Sequence, residues 1–173
     1  TGLKSSATIE LANRAKVMKS QGMDIIEMGG GDPDFDTPRE IKEAAIQAMN
    51  VGKTHYSLTR GSAELRAAVS QKLRDKSGLD YNYDKELLIT PGAKQGIYYA
   101  LLTILNPGDE VLVPEPSWVS YPQIVFMCGG NPVLVKGEKG AEMRCSGRKL
   151  REFVTDRTKA ILLANPTILP GYI

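Results

Sequence analysis

A chain of 173 residues with 22 basic and 20 acidic side chains, a formal net charge of +2, can form one domain with a sizeable core, or one large domain with part of another. The charges are dispersed apart from a mild basic cluster between Lys136 and Arg157, so there is no case for a nucleic-acid or membrane partner. Two cysteines, Cys128 and Cys145, are too few for a disulfide scaffold, and the single histidine, His55, leaves no cluster with zinc spacing.

A reducing, cytoplasmic setting fits this cysteine usage. No apolar run approaches the roughly 20 residues needed to span a bilayer, and the start "TGLKSSATIEL" lacks a basic segment followed by a hydrophobic stretch. A soluble protein is expected.

In chain order, the pattern from Thr8 to Gln21 predicts a helix closed by Gly22, and "DIIEM" a short strand leading into a glycine run. "TPRE" predicts a helix start, with Thr37 as cap, Pro38 at the first helical position and Glu40 completing a capping box. The helix over 38–50 that follows carries Ile41, Ala45 and Met49 on one face. Another helix starts near Gly61, sets Leu65, Val69 and Leu73 on one stripe, and stops at Gly78.

Beyond it the chain alternates. "ELLIT" reads as a strand, "GAKQGIYYALLTIL" as a helix with Ile97, Ala100, Leu101 and Ile104 inward, and "NPGD" as a turn. "EVLVP" is the next strand, "SWVSYPQIVFMC" a helix broken or started near Pro122, "NPVLVK" a strand, "GRKLREFV" a helix and "KAILLA" a last strand. Short apolar strands separated by helices predict an α/β fold with a mostly parallel sheet covered by helices on both faces.

Several stretches can carry chemistry. In "LITPGAKQG" a strand meets a helix start, where free backbone N–H groups, the small residues Gly92 and Ala93, and the charge of Lys94 suit a phosphate. A plain strand-to-helix turn with Lys94 in solvent explains the same residues. The spacing matches neither the dinucleotide fingerprint nor the P-loop. "GGGDPDFDTP" places acids as a calcium loop does, but Thr37 stands where such a loop needs glycine, and calcium is rejected.

The glycine run there suits either a closely approaching ligand or a hinge. Trp118, the only tryptophan, follows strand "EVLVP" at the carboxyl end of the sheet, where an indole can stack on an aromatic ring or simply fill the core. Tyr56, in the polar loop "THYSLTRG", can reach a ligand or another subunit, or be an ordinary loop tyrosine. His55 has no partner pattern for a catalytic base and is read as structural.

In order, "GDPDFDTP", "THYSLTRGSAELRAAV", "ITPGAKQGIYYALLTILNPGDEVLVPEPSWVSYP" and "RTKAILLANP" resemble the first half of the class I/II pyridoxal-phosphate-dependent aminotransferases, nearly throughout from Ser6 onward. The resemblance implies a small-domain segment with an N-terminal arm over 1–35 and an incomplete cofactor-binding large domain over 36–173. It implies that Gly31 lies at the substrate carboxylate and that Gly92, Ala93 and Lys94 hold the cofactor phosphate. Trp118 would stack on the pyridine ring. Tyr56, with Gly61 as its motif's glycine, would reach the phosphate of a neighbouring subunit, which implies a homodimer.

Pyridoxal 5'-phosphate is the implied cofactor, and an amino acid and a 2-oxo acid are the implied substrates. Two departures stand out. Where the family's loop after the last strand has an asparagine for the cofactor's ring hydroxyl, this chain has Ile168, with Asn165 in an earlier, structural place. The Schiff-base lysine matches no position in this chain, so no catalytic residue is assigned to it and the segment alone is expected to be inactive. A non-catalytic chain that binds a phosphate ligand or pairs with another subunit is the competing reading. So is another enzyme of the same fold, such as a C–S lyase or a cyclopropane-forming synthase.

Overall fold

The structure is a computed structural model and describes residues 7–26, 28, 33–137 and 145–164. The chain divides into two compact units, one of residues 1–30 with 93–173 and one of residues 31–92.

The first unit is built on a three-stranded sheet. β1 (Glu110–Glu115) lies between β2 (Asn131–Lys136) and β3 (Thr158–Ile161), parallel to both. Val111, Leu112 and Val113 are wholly buried, and because successive side chains of a strand point to opposite faces, both faces of β1 are covered. Each such side chain contributes about 1.5–3 kcal/mol by its removal from water.

On one face Val111 and Val113 join a cluster with Leu101 and Leu105 of the α4 region (helix Ala93–Ile104) and with Ile124, Val125 and Cys128 around α5 (Ser120–Met127). The chain leaves β1 through α5 to β2, then passes through α6 (Gly147–Arg151) to β3 on the far side of β1. α5 packs against both β1 and β2. The Cys128 thiol, pushed up in pKa by burial, stays protonated and donates to the Tyr98 carbonyl at 3.6 Å.

Polar groups mark the start of β1. The turn Asn106–Asp109 is closed by Asp109 N–H donating to the Asn106 carbonyl at 3.0 Å, with Gly108 at φ 90°. Glu110 is nearly buried; it accepts from the Thr155 hydroxyl at 2.6 Å, faces Arg157 at 3.2 Å, and donates its N–H to the Arg157 carbonyl at 2.8 Å. α1 (Ala7–Ser20) also belongs to this unit.

The second unit holds α2 (Arg39–Asn50) and α3 (Ala63–Ser77). α3 is capped at both ends: the Ser62 hydroxyl accepts from the Leu65 amide at 3.2 Å, and Gly78 closes it in the left-handed conformation. Glu64 in its first turn has its carboxyl below the ordinary value through a backbone amide, the charge of Lys53 and the Ser62 hydroxyl.

Several expectations are corrected. α2 begins one residue later than predicted: Pro38 is its cap residue, with no side-chain cap, so neither the Thr37 cap nor the capping box forms. Instead Asp36 accepts from the Thr37 amide at 2.8 Å, and its other oxygen pairs with Lys42. α2 buries none of its residues. The side chains that α3 buries are Arg66 and Ser70, while Leu65 of the expected stripe is exposed.

Of "ELLIT", Glu86 lies in a turn and residues 87–90 form no strand; the Ile89 amide donates to the Arg60 carbonyl at 3.0 Å, a loop partner rather than a ladder. Of "DIIEM", residues 24–26 and 28 are likewise not strand. In α4, Ala100 and Ile104 face outward, and Leu105 takes the core position. α5 starts at Ser120, ahead of Pro122, and α6 ends at Arg151.

Gly61 has φ +91°, and a Cβ there would sit 2.7 Å from Ile89 Cβ. Gly52 has φ +79° with nothing within 4 Å. Gly61→Ala should therefore cost about 1–3 kcal/mol of strain and more than Gly52→Ala, read as urea midpoints by circular dichroism.

Candidate functional site

The carboxyl end of β1 is where this sheet can hold a ligand. β2 lies on one side of β1 and β3 on the other, so strand order reverses at β1; open α/β sheets bind ligands beyond the carboxyl ends of strands at such a point. After Glu115 the chain passes through Pro116 and Ser117 to Trp118, which is half-buried just ahead of α5. The Trp118 carbonyl accepts from the Tyr121 amide at 3.0 Å, and the Tyr121 ring meets the indole edge to face at 5.5 Å. One backbone bond and one ring contact thus set the direction of the indole.

Lys94 comes to the same place from α4. Its ammonium lies 4.4 Å from the centroid of the Trp118 ring, within cation–π range, so it is not simply extended into solvent. Lys94 stands in the first turn of α4, where backbone N–H groups have no acceptor within the helix and carry the positive end of its dipole.

Gly92, just before α4, has φ +88°, which explains the glycine; a Cβ there would meet nothing within 4 Å. Its N–H donates to the Thr90 carbonyl at 2.8 Å, and the Thr90 hydroxyl donates to the Gly92 carbonyl at 3.0 Å, fixing the turn. A helix start, an ammonium and a flat aromatic ring are therefore the groups this sequence offers an anionic aromatic ligand.

Of the residues singled out by sequence, Lys94 and Trp118 are brought into contact, and Ala93 is the first residue of α4. Tyr56 belongs to the second unit, where its side chain is fully exposed. Gly31, Asn165 and Ile168 lie outside the described residues. Among the described residues no group of three or more His, Cys, Asp or Glu can hold a metal ion, and no helix is long and apolar enough to cross a membrane.

Comparison with known proteins decides the family. The model of aminotransferase class I and II matches residues 23–167. The chain belongs to the class I and II aminotransferases. The probable aspartate/prephenate aminotransferase of Rhizobium leguminosarum bv. phaseoli is 41% identical over 165 residues, covering 95% of this chain and 41% of that protein. Its counterpart from Aquifex aeolicus is 42% identical over 171 residues, covering 99% of this chain and 43% of that one.

Among solved structures, the aspartate aminotransferase of Rhizobium meliloti superposes with TM-score 0.88 at 38% identity, over 96% of this chain and 42% of that one. The Thermus thermophilus enzyme with maleate gives 0.89 at 39% identity, over 95% and 44%. The chain spans about two-fifths of the length of the relatives it matches. Members of this family depend on pyridoxal phosphate.

Sequence reasoning missed Arg66, whose buried guanidinium is central to the second unit. A signal was present: Arg66, Ser70 and Leu73 recur at helical spacing, a stripe as regular as the one through Leu65.

The Lys94–Trp118 contact can be measured by a double-mutant cycle on Lys94→Met and Trp118→Leu. A coupling of about 0.5–1 kcal/mol is expected from urea unfolding; zero coupling means the ammonium does not rest on the ring in solution.

Proposed function

We propose that this chain is the amino-terminal, cofactor-binding portion of an aminotransferase that moves an amino group between an amino acid and a 2-oxo acid. The observation that carries the reading is the Lys94 ammonium against Trp118 at the start of α4. Pyridoxal phosphate asks for an anion seat and a stacking face, and these residues fit both demands.

In this reading Gly92, Ala93 and Lys94 hold the phosphate through backbone amides and one ammonium, and Trp118 orients the ring. Gly31 lies at the substrate carboxylate. When bound, the cofactor supplies the electron sink for loss of a proton from the amino acid. The lysine that bonds it covalently is assigned to the part of the family's length that this chain does not span. Residues 1–35 are assigned to the arm and small domain, and 36–173 to the large domain.

Tyr56 would reach the phosphate of a second copy, which makes the enzyme a homodimer. Its full exposure supports that role, as do the bare apolar side chains Ile41, Ile46 and Met49 of α2 in the same unit. A cytoplasmic location fits the cysteine usage. Relatives named as aspartate aminotransferases make aspartate the first donor to try.

The test uses the full-length protein that carries this sequence. Loading with pyridoxal phosphate and treating with borohydride should fix the cofactor on a lysine, and aspartate should convert the loaded protein to its amino form. Cofactor that washes away after borohydride, its aldehyde reduced to the alcohol and no pyridoxyl group left on the protein, would favour the non-catalytic reading. Tyr56→Phe should weaken cofactor retention by about tenfold, the worth of one hydrogen bond to a charged group, without moving the unfolding midpoint of the cofactor-free protein.

A further inference from the structure

α3 buries two side chains, both polar, in a helix that has apolar ones to offer. Arg66 is 3% exposed. Burying a guanidinium is costly unless its donors find acceptors, and here Nε and Nη1 both do. Its Nε donates to the Gly61 carbonyl at 3.2 Å, and Nη1 donates to the Tyr83 carbonyl at 2.6 Å and to Asp84 Oδ1 at 3.1 Å. The guanidinium also lies 5.9 Å from the centroid of the Tyr83 ring.

These acceptors belong to two segments that α3 separates in sequence. Arg60 joins the same two from the loop side, donating through Nη1 to the carbonyls of Asp84 at 2.7 Å and Lys85 at 2.9 Å. Gly61 closes the connection, pressed against Ile89 with no room for a side chain. The loop from Gly52 to Gly61 is thus clamped at residues 60 and 61.

Tyr56 lies in the middle of that loop and is fully exposed, so its own packing does not place it. On either side of it the backbone is held: Thr54 N–H donates to the Gly52 carbonyl at 2.8 Å, and Gly61 N–H donates to the Leu58 carbonyl at 2.8 Å. We infer that Arg66 is a positioning residue for the Tyr56 loop, its buried fork holding the Gly61 end at the place from which Tyr56 reaches the cofactor phosphate. This rests on the reading of Tyr56 given above. A lysine in its place keeps the charge but loses the planar fork that spans Gly61 and Tyr83.

The experiment compares Arg66→Lys, Tyr56→Phe and the double variant in the full-length protein. Pyridoxal phosphate dissociation is followed by absorbance, and unfolding of the cofactor-free form by calorimetry. Arg66→Lys should weaken retention by about tenfold and add nothing in the Tyr56→Phe background. Asp84→Asn, at an exposed position, gives a smaller loss with the same non-additivity and serves if Arg66→Lys does not fold.

Additive losses would overturn the inference, as would a lower unfolding midpoint with retention intact; either leaves the Tyr56 reading standing. Full retention in Tyr56→Phe would sink that reading and this inference together.

Discussion

The sheet unit depends on the burial of three consecutive side chains, Val111, Leu112 and Val113. A strand that is apolar on both faces gains the most from burial, but it says little about register, because a slip by one residue exchanges one apolar face for another. Register has to come from the polar ends. Glu110, held by Thr155 and Arg157, ties the start of β1 to the approach to β3, at the point where their pairing is irregular. With Arg157 open to solvent the ion pair alone is worth little; its value is in choosing one alignment among several of similar hydrophobic energy. The position of Trp118 at the other end of β1 follows from that choice.

Elements whose signals are local were legible in the sequence. A start near Gly61 and a stop at Gly78 bracket α3, "NPGD" makes its turn, and "EVLVP" becomes the central strand, because a positive-φ glycine and a continuous apolar run each act within a few residues. Non-local choices were not legible. "ELLIT" has the composition of a strand, yet strands exist only by pairing, and among the described residues its backbone finds a loop carbonyl instead. Pro38 shows competition between local signals: it is restricted to the conformation of a first helical residue or of a cap, and here it takes the cap.

The candidate site divides in the same way. Gly92, Ala93 and Lys94 stand out because a helix start with small residues and a cation has a direct electrostatic meaning. That Lys94 rests on Trp118 is a fact of packing between α4 and the exit of β1, which no spacing rule contains. Arg66 was hidden by expectation. Charged side chains on a helix usually point to water, and only the two carbonyls awaiting it, 22 residues apart along the chain at Gly61 and Tyr83, reveal why this one does not.

Trp118 is the chain's only tryptophan and stands between the buried strand and the candidate ligand corner. Light absorbed at the red edge of the protein spectrum is therefore taken up at one address, beside a cation and a tyrosine ring. Its emission reports at once on whether β1 is packed and on what lies over the indole. A dimming of that emission has two readings, collapse of the strand or arrival of an absorbing ring. Backbone ellipticity, which only the first would change, tells them apart.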